Sequence, residues 1–196
     1  TFVFAWYDIT QKNITFIVYD TNGSNKTGLI GVSGNRSEGG SRVKVGAINE
    51  TTFAVAWYNA NATIQDTGYS VYTREGVALT APTILDDTVG TVGDPARPIR
   101  MWNATSNFTE ICYSDQAESD ADIRIVPTHL GRAGTESPAN GLDGVITQEA
   151  TSQNLISCAA LNSSLFVYAF FDDQDNDASL GYLSTSGAAN TVLASS

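Results

Sequence analysis

Nine Asn-x-Ser/Thr triplets carry the chemistry this chain repeats most often: a side-chain amide nitrogen that can bear an N-linked glycan, with a hydroxyl two residues later. They begin at Asn13, Asn22, Asn25, Asn35, Asn49, Asn61, Asn103, Asn107 and Asn162, and none has Pro in the middle. With 14 Asn, and with 22 Thr and 18 Ser making about 20% of the 196 residues, chance placement gives about three. The excess predicts N-linked glycans as covalent partners and a secreted chain, hence an extracellular or cell-surface location.

The other reactive groups are sparse. Asp173, Asp175 and Asp177 alternate as carboxylates do in calcium loops, where they replace the water shell of the ion. Ala178 stands where the loop glycine belongs and Ser184 where the twelfth-position glutamate would be, so a solvated hairpin tip is the competing reading. Calcium is the one cofactor this loop brings into view; no other is expected. His129 is the single histidine, too little for a His-based zinc site or a Ser-His-Asp triad. Cys112 and Cys158 lack C-x-x-C spacing; in an oxidising compartment such a pair is expected to bridge, and two buried thiols are the alternative. Glycoside hydrolysis needs two carboxylates across a cleft. Asp8, Asp115 and Asp172 occupy equivalent strand ends, but Asn59 replaces the acid in the second unit, which favours a turn role. No catalytic residue is therefore assigned. Trp6 and Trp57 lie within apolar runs and are expected in the core, leaving Trp102 as the outward-facing aromatic.

Composition narrows the partners further. Twenty-one acids against ten bases give a formal charge of -11, and three Lys with seven scattered Arg form no phosphate-binding patch, so nucleic acid is not expected. No apolar run approaches the roughly 18 residues that cross a bilayer, so membrane insertion is not expected. The chain opens on Thr1 without a signal-peptide pattern, which reads either as a chain mature after cleavage or, the favoured reading, as a stretch of a longer protein.

The elements that position these groups recur. Four apolar runs end in Asp or Asn: Phe4 to Asp8, Val55 to Asn59, Ile111 to Asp115 and Tyr168 to Asp172, with closing residues 51, 56 and 57 apart. Each is followed by a second strand that finishes before a glycine, namely Gly23, Gly76, Gly131 or Gly187. A third strand precedes the aromatic run at Arg42 to Ile48, Pro98 to Trp102 and Leu155 to Leu161, and a fourth is expected within Val77 to Leu85 and Val145 to Gln148. Asn49, Asn107 and Asn162 precede Phe53, Ile111 and Phe166 by four residues each, and Asn13 and Asn61 share the hairpin after the aromatic run. β-branched and aromatic runs with short turns favour strands throughout. The fold class is all-β, with tandem four-stranded antiparallel units of about 55 residues that form the sequence image of propeller blades. The whole is a single β-repeat domain over 1–196, with units 1–41, 42–97, 98–153 and 154–196. The first lacks its leading strand, and the fourth ends before its last strand could finish. Runs apolar almost throughout suit blades covered on both faces.

An aromatic strand with Ala-Trp, a polar hairpin, a strand with Val-Tyr and a turn ending in Gly resembles the tandem β-propeller-like repeats of large secreted surface and adhesion glycoproteins. It is more loosely similar to the blades of fungal fucose-binding propeller lectins. Phe2 to Gly23 and Phe53 to Gly76 carry the likeness best; the later units replace the Trp with Tyr113 and Phe170. The first resemblance implies a structural or adhesive, non-catalytic protein, such as a surface-coat, filament or appendage subunit, with copies of itself or other extracellular matrix and surface proteins as partners. The second implies sugar pockets between blades, built from an Arg, an acid and an aromatic, a set that matches no positions here. A carbohydrate-binding propeller is the alternative function and a glycoside hydrolase domain the third.

Overall fold

Apolar runs separated by turn residues give strands and no helix among the described residues. The computed structural model describes residues 1–32, 42–61, 64–86, 100–105, 108–115, 122–129, 144–145, 153–162, 165–172, 177–184 and 191–194, with side chains for 1–32, 43–58, 68–83 and a few positions beyond. Sheet 1 holds β1 (Phe2–Asp8), β2 (Asn13–Tyr19) and β3 (Ile30–Gly31). Sheet 2 holds β4 (Arg42–Ala47), β5 (Thr52–Asn61), β6 (Ile64–Thr73) and β7 (Thr83–Asp86). Sheet 3 holds β8 (Arg100–Thr105), β9 (Phe108–Asp115), β10 (Asp122–His129) and β11 (Gly144–Val145); sheet 4 holds β12 (Gln153–Asn162), β13 (Leu165–Asp172), β14 (Asp177–Ser184) and β15 (Thr191–Ala194). Each sheet is an antiparallel meander in which chain neighbours pair.

Three expectations shift. The fourth strand of the second unit forms only at Thr83–Asp86, because 77–80 bends around Gly76 and bonds back to β6. In the third unit the described part of it, Gly144–Val145, starts one residue earlier than expected, and 146–148 lie outside the described residues. The fourth unit does form a last strand, as β15 pairs with β14.

The turn after β2 recurs bond for bond 53 residues later, after β6. Asp20 N–H donates to Ser24 O at 2.9 Å, and Thr73 N–H to Val77 O at 2.8 Å. Gly23 N–H closes onto Asp20 O at 3.0 Å, and Gly76 N–H onto Thr73 O at 2.8 Å. Both glycines take positive φ, 83° and 80°, a region costly for a residue with a Cβ. Beyond the turn, Lys26 N–H and Leu79 N–H return to Val18 O and Val71 O, each at 2.8 Å. The hydroxyls of Thr27 and Thr80 then accept the N–H of Val18 and Val71, at 3.1 and 3.0 Å. This is ordinary turn chemistry: a threonine hydroxyl substitutes for a missing ladder carbonyl where the chain leaves the sheet.

Alternation along β2 places Ile14, Phe16 and Val18 on one face, fully buried, and that face packs on Phe53, Val55, Trp57 and Tyr72 of sheet 2. At its centre Phe16 meets Phe53 edge-on at 5.4 Å and Tyr72 at 4.5 Å, geometries that favour aromatic pairs beyond their buried area. Gly68, opposite Trp57, leaves the indole room: a Cβ there would stand 2.7 Å from Trp57 Cζ2 and 2.9 Å from Thr83 O. The reverse face of sheet 2 is closed too, by a second cluster of Ile48, Ala54 and Val71 with Tyr69 packed on it. Residues 52–58 are thus buried on both faces, as an uninterrupted apolar run requires. Sheet 1 departs from that expectation. Its outer face carries Phe2, Phe4 and Trp6, and all three are exposed, so Trp6 is not a core residue although Trp57 is. Further along, β1 lies beside β4, β4 beside β8, and β8 beside β12.

Candidate functional site

The sequons fall into distinct structural settings. At Asn22, Asn25 and Asn49 the asparagine Oδ1 accepts the N–H of the hydroxyl residue two positions on: Ser24 at 2.9 Å, Thr27 at 3.1 Å and Thr51 at 2.9 Å. Each is an Asx turn, the local conformation asparagine adopts without tertiary help. With Oδ1 committed to the backbone, Nδ2, the atom that bears a glycan, is the amide's uncommitted end. Asn22 and Asn25 are exposed and Asn49 partly so. Thr51 adds its hydroxyl, donating to the same Asn49 Oδ1 at 3.0 Å. The Asn49 turn is also held from behind, since Arg74 N–H donates to Thr51 O at 2.8 Å.

Asn13 differs. It opens β2 and pairs with Asp8 instead of standing at the hairpin tip. It is half-buried, and its Nδ2 lies 2.5 Å from where a Cβ on Gly31 would stand. The hydroxyl of its sequon, on Thr15, is buried with no hydrogen-bond partner. The alternating apolar residues from Ile14 to Val18 are the signal in the sequence that this triplet lies inside a core strand.

Asn61 ends β5 opposite Ile64, Asn103 lies within β8 opposite Thr109, and Asn162 ends β12 opposite Leu165, with side chains outside the described residues. Asn35 and Asn107 lie outside the described residues, as do Asp173 and Asp175 of the acidic loop; Asp177 begins β14 opposite Asp172. Among the described residues no three His, Cys, Asp or Glu gather as a metal site would require. Cys112 is on β9 and Cys158 on β12, two strands that lie against one another; their side chains are outside the described residues. The same holds for Trp102 on β8 and His129 at the end of β10.

Asp8 is occupied locally. Its Oδ1 accepts the N–H groups of Thr10 and Gln11 at 2.9 and 3.1 Å, closing a hairpin in which Lys12 has φ 51°. That is a turn-forming carboxylate, committed to backbone.

An open groove of about 430 Å³ runs between the edge of sheet 1 at Ile30 to Val32 and the 78–82 segment of sheet 2. Its polar groups are already engaged: Ser70 Oγ donates to Thr80 O at 2.9 Å, and the Thr80 hydroxyl accepts from Val71. Burial pushes the Tyr72 phenol above its ordinary pKa, opposed by its hydrogen bond with Ser70. Among the described residues that line this groove there is neither an Arg nor a carboxylate.

The two turns are tied by charge. Lys26 Nζ contacts Glu75 Oε1 at 3.0 Å, while Arg74 Nε donates to the same oxygen at 2.9 Å. Hydrogen bonds from Lys26 first and Arg74 second hold the Glu75 carboxyl down at about 2. Lys26 is the middle residue of the Asn25 sequon, so this bridge fixes that turn to sheet 2.

The residues that the sequence reading missed are Thr27 and Thr80. Their signal was present: the turn glycines Gly23, Gly76, Gly131 and Gly187 are each followed four residues later by threonine, at Thr27, Thr80, Thr135 and Thr191. On sheet 4, Thr191 pairs with Tyr182, five residues before Gly187, the register in which Thr27 and Thr80 face Val18 and Val71. Comparison with known protein families and with characterised proteins finds no match.

Proposed function

We propose that this chain is a stretch of an extracellular, heavily N-glycosylated structural or adhesive protein, built from tandem propeller-like blades and without catalytic activity. The observation that supports it best is the Asx geometry at Asn22, Asn25 and Asn49. Three acceptor amides stand on turns at or near the surface with Oδ1 engaged by the backbone, while the strands between them carry the core. The turn that recurs with a 53-residue offset and the four meander sheets support the blade reading. Asp8, the member of the set of equivalent strand-end carboxylates whose side chain is described, is spent on a turn, which weighs against a glycosidase.

Cys112 and Cys158, on adjacent strands of different sheets, would staple two blades in the oxidising environment such a protein inhabits. Expression through a secretory pathway, followed by enzymatic removal of N-glycans, tests the reading. A ladder of several glycan masses supports it. A mass unchanged by deglycosylation removes the basis for the location and for the role together.

A further inference from the structure

Asn22, Asn25 and Asn49 share one Asx turn and differ in the residue that follows, which is Gly23, Lys26 or Glu50. The backbone nitrogen of that residue is the nucleophile that can close a five-membered ring on the asparagine amide carbon. Before glycine no Cβ obstructs the approach. Gly23 is exposed, and even a Cβ built on it would meet nothing within 4 Å. Asn140-Gly141, the other Asn-Gly pair in the chain, lies outside the described residues.

Backbone hydrogen bonds separate Asn22 from Asn25. Gly23 N–H closes only an exposed turn, onto Asp20 O at 3.0 Å. Lys26 N–H goes to Val18 O at 2.8 Å, which holds the edge segment on β2 beside the part-buried bond from Val18 N–H to Thr27 Oγ1. Freeing the Gly23 nitrogen therefore takes the opening of one surface turn, whereas freeing the Lys26 nitrogen takes lifting the segment off its sheet. Openings of the first kind lie at the low end of a protein's local unfolding free energies. At Asn49 the amide is partly buried, and Glu50 presents a Cβ where Asn22 is followed by none.

We propose that Asn22 is a site of self-modification in the folded chain, where the Gly23 nitrogen displaces ammonia from the side-chain amide and leaves isoaspartate or aspartate at position 22. A solvent base takes the Gly23 amide proton, the nitrogen bonds to Asn22 Cγ, and Cγ–Nδ2 breaks as Nδ2 leaves as ammonia with the proton the base returns. Water then adds to either carbonyl of the cyclic imide and opens it, so the net change is one water in and one ammonia out. Negative charge develops in the first step on Asn22 Oδ1, which already accepts Ser24 N–H at 2.9 Å, a donor placed where the oxyanion forms. The product adds a carboxylate two residues from Asp20 and, without Nδ2, no longer accepts a glycan. This chemistry belongs to the bare amide and stands apart from the proposed function.

The test uses the full 196-residue chain made without glycans, incubated folded in mildly alkaline buffer and, in parallel, unfolded in urea. Peptide sequencing by mass spectrometry, with enzymatic methylation of isoaspartate, reads each asparagine. In the folded chain Asn22 is expected to convert within roughly tenfold of its unfolded rate, and Asn25 and Asn49 at least about tenfold more slowly than Asn22. Lys26→Gly separates the dipeptide from the fold, because Asn25 gains the same glycine neighbour while the nitrogen at position 26 keeps its place on Val18 O. The ion pair it removes is exposed and contributes little to stability. In that variant Asn25 converts as fast as Asn22 in urea and at least about tenfold more slowly when folded. An Asn22 that stays an amide in the folded chain, or an Asn25 in Lys26→Gly that keeps pace with Asn22 there, overturns the inference. Neither result touches the glycan masses that test the proposed function.

Discussion

The hydroxyls of Thr27 and Thr80, 53 residues apart, accept the backbone N–H of Val18 at 3.1 Å and of Val71 at 3.0 Å. Each donor is part-buried at the point where an edge segment leaves its sheet. Removing the acceptor strands an N–H away from water, which costs more than the hydrogen bond itself contributes. Thr27→Val and Thr80→Val are each expected to destabilise the protein by about 1–3 kcal/mol. Urea unfolding checks this, with Thr27→Ser as the control that keeps the hydroxyl and the sequon.

Gly23 and Gly76 share a conformation but not a neighbourhood. At φ 83° and 80°, alanine at either position carries the left-handed cost of about 1–2 kcal/mol. A Cβ on Gly23 meets open space, whereas one on Gly76 would run into Ile30 Cδ1 and come within 2.9 Å of Thr27 Cγ2, both on sheet 1. Gly76→Ala is therefore expected to cost about 1–3 kcal/mol more than Gly23→Ala, the excess being overpacking between the sheets. Equal losses on thermal or urea unfolding would show that the sheets do not nest at this turn.

These two residue pairs also mark how far the sequence could be read. The aromatic runs and turn glycines gave away the strands, because alternating apolar residues and positive-φ turns are local signals. Gly-x-x-x-Thr was equally local, but threonine is so frequent in this chain that the pattern hides among sequons. Thr27 itself serves both the Asn25 sequon and the turn. The exposure of Trp6 was not legible. Trp6 and Trp57 sit in nearly identical local sequence, and what separates them is whether another sheet lies on top. The Lys26 to Glu75 bridge was equally hidden, since it joins residues 49 apart through the stacking of two turns.

Glu75 titrates well below the usual carboxylate range because Lys26 and then Arg74 donate to its ionised form. Its carboxyl is lowered from an ordinary 4.5 to about 2, so the stabilisation is fully present above 4.5 and disappears as pH falls toward 2. Being exposed, the pair is screened and contributes little at physiological salt. Carbon-detected NMR titration should place the Glu75 midpoint near 2, and Lys26→Met should move it back toward 4.5. A midpoint of 4.5 in the unaltered protein would mean that the two turns are not bridged in solution.

Cys112 and Cys158 enclose about 46 residues, and closing such a loop stabilises by roughly 3 to 4 kcal/mol in the chain-entropy model. Since β9 and β12 lie against each other, this bridge would hold sheets 3 and 4 together. A non-reducing peptide map is expected to join the two cysteine peptides, and reduction should lower the unfolding midpoint. Two free thiols in protein recovered from a secretory host would remove the staple.

Glycan occupancy should follow the geometry of each amide. Asn22, Asn25 and Asn49 sit in Asx turns at or near the surface, with Oδ1 and not Nδ2 bonded to the backbone. At Asn13 a sugar on Nδ2 must lift the amide off Gly31, and the hydroxyl of Thr15 is already buried. Peptide mapping after release in heavy-oxygen water should find the label on Asn22, Asn25 and Asn49 and leave the Asn13 peptide chiefly unlabelled. Asn49→Gln should remove one glycan and leave the fold intact. Asn13→Gln should leave the glycan mass unchanged but lower stability, because its longer side chain does not fit over Gly31. Heavy labelling at Asn13 in stable, folded protein would mean that β2 begins beyond this residue and that its amide stands free of the sheet.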